Sequence, residues 1–340
     1  MSARRSSSLI GLITISALVV TAGAAQADDS GSVRDVRSIL NQVARATVEE
    51  DRHVLAETTT EASATTEMSM LLELDDVTVA VPRAGNESIR IESDVATVGI
   101  GRPFESDSSS AFMVQDGVTA SENFNGTRTT TAVKEDGTLQ IATILDGPEA
   151  PERFDYDLEL PEGTVVREDG GLIFLETRLG VLIGGFTPAW ALDAAGTEVP
   201  TRYELDGHTL TQVVDHKDAD GVIYPITADP AYSHGMISQV KHERWRNGGY
   251  EIRFTVTALA RATQLVNPGF VYSAGLADLR QHHPNSMQYR TMAQQWDCHV
   301  VGLLAVVNVD LESRRRSWDG WRRGIPASVI KKNPAAACNW

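Results

Sequence analysis

Residues 154–160 alternate strictly between apolar and acidic side chains, and this period-two pattern constrains the fold more than any other feature of the chain. Successive side chains of a β-strand point to opposite faces, so the apolar set would face a core while the acidic set faces water. Such a strand is half-buried and needs neighbouring strands to complete a sheet. The segment therefore predicts a β-sheet with one buried face.

Similar short apolar segments recur between residues 70 and 230, at about 72–81, 89–98, 139–144 and 172–175. Turn signals rich in Asp and Gly separate them, such as Glu135-Asp136-Gly137 and Asp169-Gly170-Gly171. Many short strands joined by such turns are typical of a sandwich of two antiparallel sheets. We predict an acidic, β-rich, sandwich-like domain over residues 70–230, within a chain of the α+β class.

The first 27 residues have the organisation of a cleavable signal peptide. Arg4 and Arg5 give a basic start, residues 9–20 form an apolar run, and the small-residue pattern of a cleavage site ends at Ala27. The apolar run is shorter than the ~20 residues of a spanning helix, and no later segment comes closer. We expect a secreted, extracellular protein cleaved after Ala27 with no membrane-spanning segment, and both the general and the twin-arginine export routes stay open.

Between the signal peptide and the β-rich segment, residues 28–69 read as a helix and a linker. Val33, Val36, Leu40 and Val43 recur at spacings of three and four, which predicts an amphipathic helix over residues 33–57. Residues 58–69 are rich in Thr, Glu and Ser and favour a linker.

The last part of the chain, residues 231–340, predicts a small α+β domain. Asn247-Gly248 between two alternating segments is a hairpin signal, because both central turn positions need a positive φ. The second strand is expected to run from Tyr250 to Leu259, with Ala258 on its apolar face. A helix is expected from about residue 285 to 304, with Met292 and Trp296 on its apolar face, and residues 308–340 are expected to be irregular.

The distribution of charged residues changes at the same boundary, near residue 230. Residues 28–230 carry 39 acidic and 14 basic side chains, whereas residues 231–340 carry 7 acidic and 14 basic ones. Such asymmetry implies two units with different surfaces. It also suggests an intramolecular contact in which the acidic and basic parts attract each other.

Cys298 and Cys338 are the two cysteines of the chain. In an exported protein an even count favours a disulfide, and two cysteines allow one pairing. A catalytic or metal-bound thiol is the alternative.

Two stretches resemble segments of secreted actinobacterial proteins. Residues 139–232, with Trp190-Ala191-Leu192-Asp193 and Tyr224-Pro225-Ile226-Thr227, resemble a segment that recurs upstream of variable C-terminal domains. Residues 237–340, with Gln295-Trp296-Asp297-Cys298-His299 and Cys338-Asn339, resemble a C-terminal domain family of unknown function. Asp310 departs from the Asn of that pattern, and residues 314–324 are longer and more basic. The resemblance implies that the chain is exported and that a β-rich segment precedes a distinct C-terminal domain. It also supports the pairing of the two cysteines, and it implies no activity.

Four histidines are the weak candidates for catalysis: His242, His282, His283 and His299. A pair of them could act as general acid and base, for example in a small secreted nuclease. No zinc-ligand motif, phosphate-binding loop, dinucleotide fingerprint or serine-hydrolase elbow occurs in the sequence. We therefore predict neither a metal site nor a cofactor.

A basic, tryptophan-rich segment is the candidate binding site. It comprises Arg314, Arg315, Arg316, Trp318, Trp321, Arg322 and Arg323, with Lys331 and Lys332 beyond it. Cations interleaved with aromatic rings suit anionic polymers, whereas core tryptophans with solvated arginines are the plainer interpretation. The leading hypothesis is a non-enzymatic extracellular or cell-envelope binding protein, with an anionic envelope polymer or surface as partner. The alternative is a nuclease or other hydrolase toxin in residues 231–340.

Overall fold

The computed structural model describes residues 32–43, 62–66, 68–74, 77–302 and 308–340. The fold is β-rich, with three antiparallel sheets accompanied by helices. Among these residues, no helix is both long and apolar enough to span a membrane.

The strands are short and follow one another closely along the chain. The first seven are β1 (Ala64–Thr65), β2 (Ser69–Glu73), β3 (Val77–Pro82), β4 (Ile89–Ser93), β5 (Thr97–Ile100), β6 (Phe112–Gln115) and β7 (Val118–Glu122). The next seven are β8 (Thr127–Val133), β9 (Leu139–Leu145), β10 (Arg153–Glu159), β11 (Val165–Asp169), β12 (Leu172–Glu176), β13 (Leu182–Phe186) and β14 (Trp190–Leu192). The last seven are β15 (Thr201–Asp206), β16 (Thr209–Val214), β17 (Ile226–Asp229), β18 (Ala231–Ser233), β19 (Ile237–Arg246), β20 (Gly249–Val256) and β21 (Val309–Glu312).

Eight helices accompany the strands in the described part of the chain. Residues 32–43 form helix α1. The others are α2 (Ala258–Val266), α3 (Pro268–His282), α4 (Pro284–Met287), α5 (Arg290–Gly302), α6 (Trp321–Gly324), α7 (Ala327–Lys332) and α8 (Pro334–Cys338).

Two large sheets contain most of the strands. The first has the order β1-β2-β3-β4-β5-β10-β16-β15, and the second has the order β11-β12-β13-β18-β9-β8-β7-β6, with β14 and β17 joined beside β9. Strand β10 confirms the alternation seen in the sequence, because Phe154, Tyr156 and Leu158 are buried while the residues between them are exposed. These three side chains belong to a core cluster that collects residues of both large sheets, such as Val79 and Ile141.

Helix α1 packs against the second sheet. Val36 and Ile39 form an apolar cluster with Val118 of β7 and other residues of the sheet, and Asp35 pairs with Arg128 at 2.6 Å. The predicted helix extends beyond residue 43 into residues that lie outside the described chain. The predicted linker is partly wrong, because residues 64–65 and 69 onward pair as strands β1 and β2.

The third sheet has the order β19-β20-β21. Its hairpin turn is confirmed, since Asn247 and Gly248 have φ values of 52° and 81°. The expected continuation of the second strand through Ala258 is wrong, because β20 ends at Val256 and Ala258 begins α2. The Thr257 hydroxyl accepts a hydrogen bond from the Ala260 N–H, and this N-cap starts the helix where the strand would have continued.

The remaining C-terminal predictions are refined. The expected helix over 285–304 is divided into α4 and α5 at Gln288 and Tyr289, and its last residues, from 303, lie outside the described chain. Residues 308–340 contain β21 and three short helices rather than an irregular tail. The disulfide between Cys298 and Cys338 is present, with the two Cα atoms 5.5 Å apart.

The acidic and basic parts of the chain are in direct contact. Strand β18 lies between β9 and β13 in the second large sheet, just beyond the predicted boundary at residue 230. Arg261 of α2 pairs with Asp136 at 2.9 Å, and His282 at the end of α3 pairs with Asp94. Opposite charges therefore meet where the two parts join, and the division into domains stays a prediction.

Candidate functional site

The basic segment follows β21 and is held in place by polar side chains of α5. The Gln295 amide donates to the carbonyl of Glu312 at 2.9 Å and accepts from its N–H at 2.9 Å. The Gln294 side-chain oxygen accepts from the backbone N–H of Trp318 at 2.9 Å. Because both glutamines belong to α5, most of which is buried, the segment is anchored to a rigid support.

Three of the seven predicted basic residues pair with neighbouring carboxylates. Arg314 and Arg315 both pair with Glu312. Arg322 donates from Nε to the Asp297 carboxylate at 3.0 Å. These arginines contribute less free positive charge to the surface than the sequence alone suggests.

The surplus positive charge comes from four side chains. Within the described part of the chain, no carboxylate pairs with any of them, and all four are exposed: Arg316, Arg323, Lys331 and Lys332. Arg316 and Arg323 flank the Trp318 loop, and the two lysines lie at the end of α7. We call these four residues together with Trp318 the basic face.

The tryptophans of the segment play different parts. Trp318 is 36% exposed, whereas Trp321 is 4% exposed and lies in a small core with the disulfide. Trp321 therefore exposes little of its ring to solvent, and its predicted role in binding stays a prediction. Trp340 connects the two, since its ring lies parallel to that of Trp321 at 6.1 Å and edge-on to that of Trp318 at 5.6 Å.

Trp340 is a member of this site that the sequence interpretation missed. Its indole N–H donates to the carbonyl of Arg316 at 2.9 Å. It stands two residues after Cys338, and the disulfide brings it beside α5. An aromatic residue two positions after a disulfide cysteine was the signal that could have identified it.

Two of the four candidate histidines share one hollow. His282 and His283 end helix α3 and line a cavity of about 450 Å³ with Glu243 and Asp278. His283 Nδ1 lies 2.9 Å from a Glu243 oxygen, and His282 Nδ1 lies 2.8 Å from Asp278. Hydrogen bonds to Asp278 and Asp94 raise the pKa of His282 to about 9, against the opposing effect of partial burial.

The other two histidines lie apart from this hollow. His242 alternates with Glu243 along β19, so it points to the opposite face of the hairpin, where its Nε2 is 3.4 Å from Glu251. His299 is buried, and this burial lowers its pKa to about 4 against the opposing effect of Asp310. Among the described residues, no cluster of three or more His, Cys, Asp or Glu side chains could hold a metal ion.

No family model matches this sequence, and no curated protein matches it either. The similarity to secreted actinobacterial domains therefore stays a prediction, and the chemistry of the chain itself carries the functional conclusion.

Proposed function

We propose that this chain is a secreted, non-enzymatic binding protein that holds an anionic polymer of the cell envelope on its basic face. The observation that carries the proposal is a set of four exposed cations that have no carboxylate partner among the described residues, two of which flank the half-exposed Trp318 in the chain. Cations beside an aromatic ring suit a polymer that alternates charged and ring-containing units.

Export is part of the same proposal. A disulfide persists in an oxidising compartment, so the Cys298–Cys338 bond is compatible with an extracellular protein. We infer that residues 1–27 direct export and are removed after Ala27. We also infer that the two large sheets stack as a sandwich and serve as the scaffold of the basic C-terminal part.

The hydrolase alternative has less support. A general base works best when its pKa lies near the operating pH, and His282 and His299 depart from neutrality in opposite directions. His242 lies on the far face of the hairpin, so it does not complete an acid/base pair with the histidines of the hollow.

Calorimetric binding of soluble polyphosphate to residues 28–340 tests the proposal. The variant Arg316→Gln/Arg323→Gln should bind at least about tenfold more weakly at low ionic strength, since each basic residue near an anionic surface contributes about 1 kcal/mol. The matched control is Arg90→Gln/Arg178→Gln, which removes the same charge from exposed arginines in the large-sheet part of the chain. Equal losses in both variants would refute the assignment to the basic face.

A further inference from the structure

Three aromatic rings meet near the tip of the β19–β20 hairpin. Trp245 lies opposite Tyr250 in the strand register, and the two rings meet edge to face at 4.9 Å. Tyr289, between α4 and α5, extends the group at 6.2 Å from Tyr250. Trp245 is 60% exposed and Tyr289 is 37% exposed. We call these three residues the hairpin ring group, and it presents two ordered rings to solvent.

The hairpin ring group packs directly against the basic segment. The Tyr250 N–H donates to the Ser313 hydroxyl at 2.7 Å, and the Ser313 N–H donates to the Tyr250 carbonyl at 2.9 Å. Gly249 brings the two backbones together, because a Cβ atom at this position would lie 2.9 Å from the backbone nitrogen of Arg314. The rings at the hairpin tip therefore border the same segment that carries Arg316 and Trp318.

Helix α5 connects the hairpin ring group to Trp318. Tyr289 directly precedes the helix, and Arg290 at its first position pairs with Asp319 at 2.6 Å. Gln294, one turn further along, donates to Asp319 at 2.8 Å and holds the backbone N–H of Trp318. Both members of the Arg290–Asp319 pair are exposed, and α5 rises about 6 Å between Arg290 and Gln294. We call the surface from the hairpin ring group along α5 to Trp318 the ring strip.

Unpaired positive charge lies at both ends of the ring strip. Arg246 follows Trp245 at the hairpin tip and is exposed, and no carboxylate of the described residues pairs with it. Arg316 of the basic face is held at the other end, since its carbonyl accepts from the Thr291 hydroxyl at 3.4 Å and from the Trp340 indole at 2.9 Å. A bound chain could therefore meet cations and exposed rings in turn.

Single-stranded nucleic acid has the chemistry that this pattern suits. Its bases are free to stack on aromatic side chains, and the phosphates between them pair with cations. Arginine, the cation next to each exposed ring, is well suited to phosphate recognition. An anionic bilayer also attracts rings and cations, but it favours aliphatic side chains as well. The large exposed apolar side chains that the structure describes on the ring strip are all aromatic: Trp245, Tyr289 and Trp318.

We propose that the ring strip binds single-stranded nucleic acid. Bases stack on Trp245 and Tyr289, and phosphates pair with Arg246 and Arg316. The inference rests on the proposed function, because it uses a cation of the basic face, and it adds a ligand that carries flat rings between its charges. Polyphosphate has no such rings, so it depends on the cations alone.

Fluorescence anisotropy with labelled oligothymidylate of about twelve nucleotides tests the inference, beside an abasic strand of equal length that has phosphates without bases. Residues 28–340 should bind the oligothymidylate at least about tenfold more tightly than the abasic strand, because each stacked base contributes about that factor or more. Trp245→Ala should remove most of this preference, and Trp245→Phe should keep it. The matched control is Phe124→Ala, which removes an exposed ring between β7 and β8 and should change nothing.

Polyphosphate separates this inference from the proposed function. Trp245→Ala should bind polyphosphate as the parent chain does, whereas Arg316→Gln/Arg323→Gln should weaken the binding of both polymers. If polyphosphate binds but the parent chain does not distinguish oligothymidylate from the abasic strand, or Trp245→Ala keeps the preference, the inference fails and the proposed function stands. If neither polymer binds, both fail. Binding to phosphatidylglycerol vesicles that requires Trp245, without a preference for oligothymidylate, would assign the ring strip to a membrane surface instead.

Discussion

The guanidinium of Arg261 lies 2.9 Å from the carboxylate of Asp136, and this ion pair joins helix α2 to the hairpin between β8 and β9. Asp136 is 9% exposed at its side chain and accepts a second hydrogen bond from the Thr138 N–H at 2.9 Å. Burial disfavours the ionised carboxylate, but the Arg261 charge and the Thr138 bonds outweigh it and hold the pKa of Asp136 below its usual range. The contact between the acidic and basic parts of the chain therefore includes a largely buried ion pair.

Asp136→Asn should destabilise the protein by about 3–5 kcal/mol, because it removes the carboxylate that balances the partly buried charge of Arg261. Chemical denaturation measures the loss. The control is Arg202→Gln, whose pair with Asp215 is exposed and therefore contributes little to stability. A loss for Asp136→Asn no larger than that of the control would contradict the buried pair. Since the folded pKa of Asp136 is lowered, its contribution is present above the unfolded pKa and is lost as the pH falls through the folded value.

His282 should make stability depend on pH at alkaline values. Its folded pKa of about 9 lies above the unfolded value, so its contribution is complete below about 6.5 and is lost as the pH rises through about 9. The unfolding temperature of the parent chain should therefore decrease relative to that of His282→Gln as the pH rises between these limits. Parallel curves for the two proteins over this range would show that the histidine does not bridge Asp94 and Asp278.

Asp229 should contribute to stability at low pH, whereas Asp136 contributes at higher pH. It is fully buried at the end of β17, and burial raises its pKa to about 7, although Lys134 and a 2.8 Å hydrogen bond from Gln140 oppose this effect. Its neutral form favours folding at low pH, and that advantage is lost as the pH rises from the unfolded pKa through about 7. Asp229→Asn should therefore gain stability relative to the parent chain on going from pH 4 to pH 8, by up to about 4 kcal/mol. A stability difference between the two proteins that stays constant across that range would show that the pKa of Asp229 is not raised.

The disulfide should support both stability and the basic face. Closing a loop with a sequence separation of 40 contributes roughly 4 kcal/mol in the chain-entropy model. Cys298→Ser/Cys338→Ser should lose about that amount on denaturation. It should also weaken polyphosphate binding, since Trp340 and Trp321 pack beside the bond. Unchanged binding in a folded variant would show that the basic face is ordered without the bond.

Local patterns predicted much of the sheet structure. The alternation at β10 and the Asn247-Gly248 turn each depend on a few residues that are neighbours in the sequence, and both are confirmed. Helices α2 and α3 were missed because an alternating strand continues directly into a capped helix. Thr257 and the Asn267-Pro268 pair were cap signals that could have marked their starts.

The candidate site was less accessible from the sequence, because charge pairing and burial depend on distant residues. The sequence showed a run of arginines, but it did not show that Glu312 and Asp297 pair with three of them. His282 meets Asp94, which is 188 residues away in the chain. Such pairings are set by how the sheets and helices pack, and no local pattern encodes them.

The salt dependence of polyphosphate binding tests the central claim most directly. If the exposed cations of the basic face hold the polymer, the logarithm of the binding constant should fall linearly with the logarithm of the salt concentration. The slope should decrease in magnitude by about 2 in Arg316→Gln/Arg323→Gln and stay unchanged in Arg90→Gln/Arg178→Gln. Binding that is independent of salt, or equal slopes in all three proteins, would contradict the account.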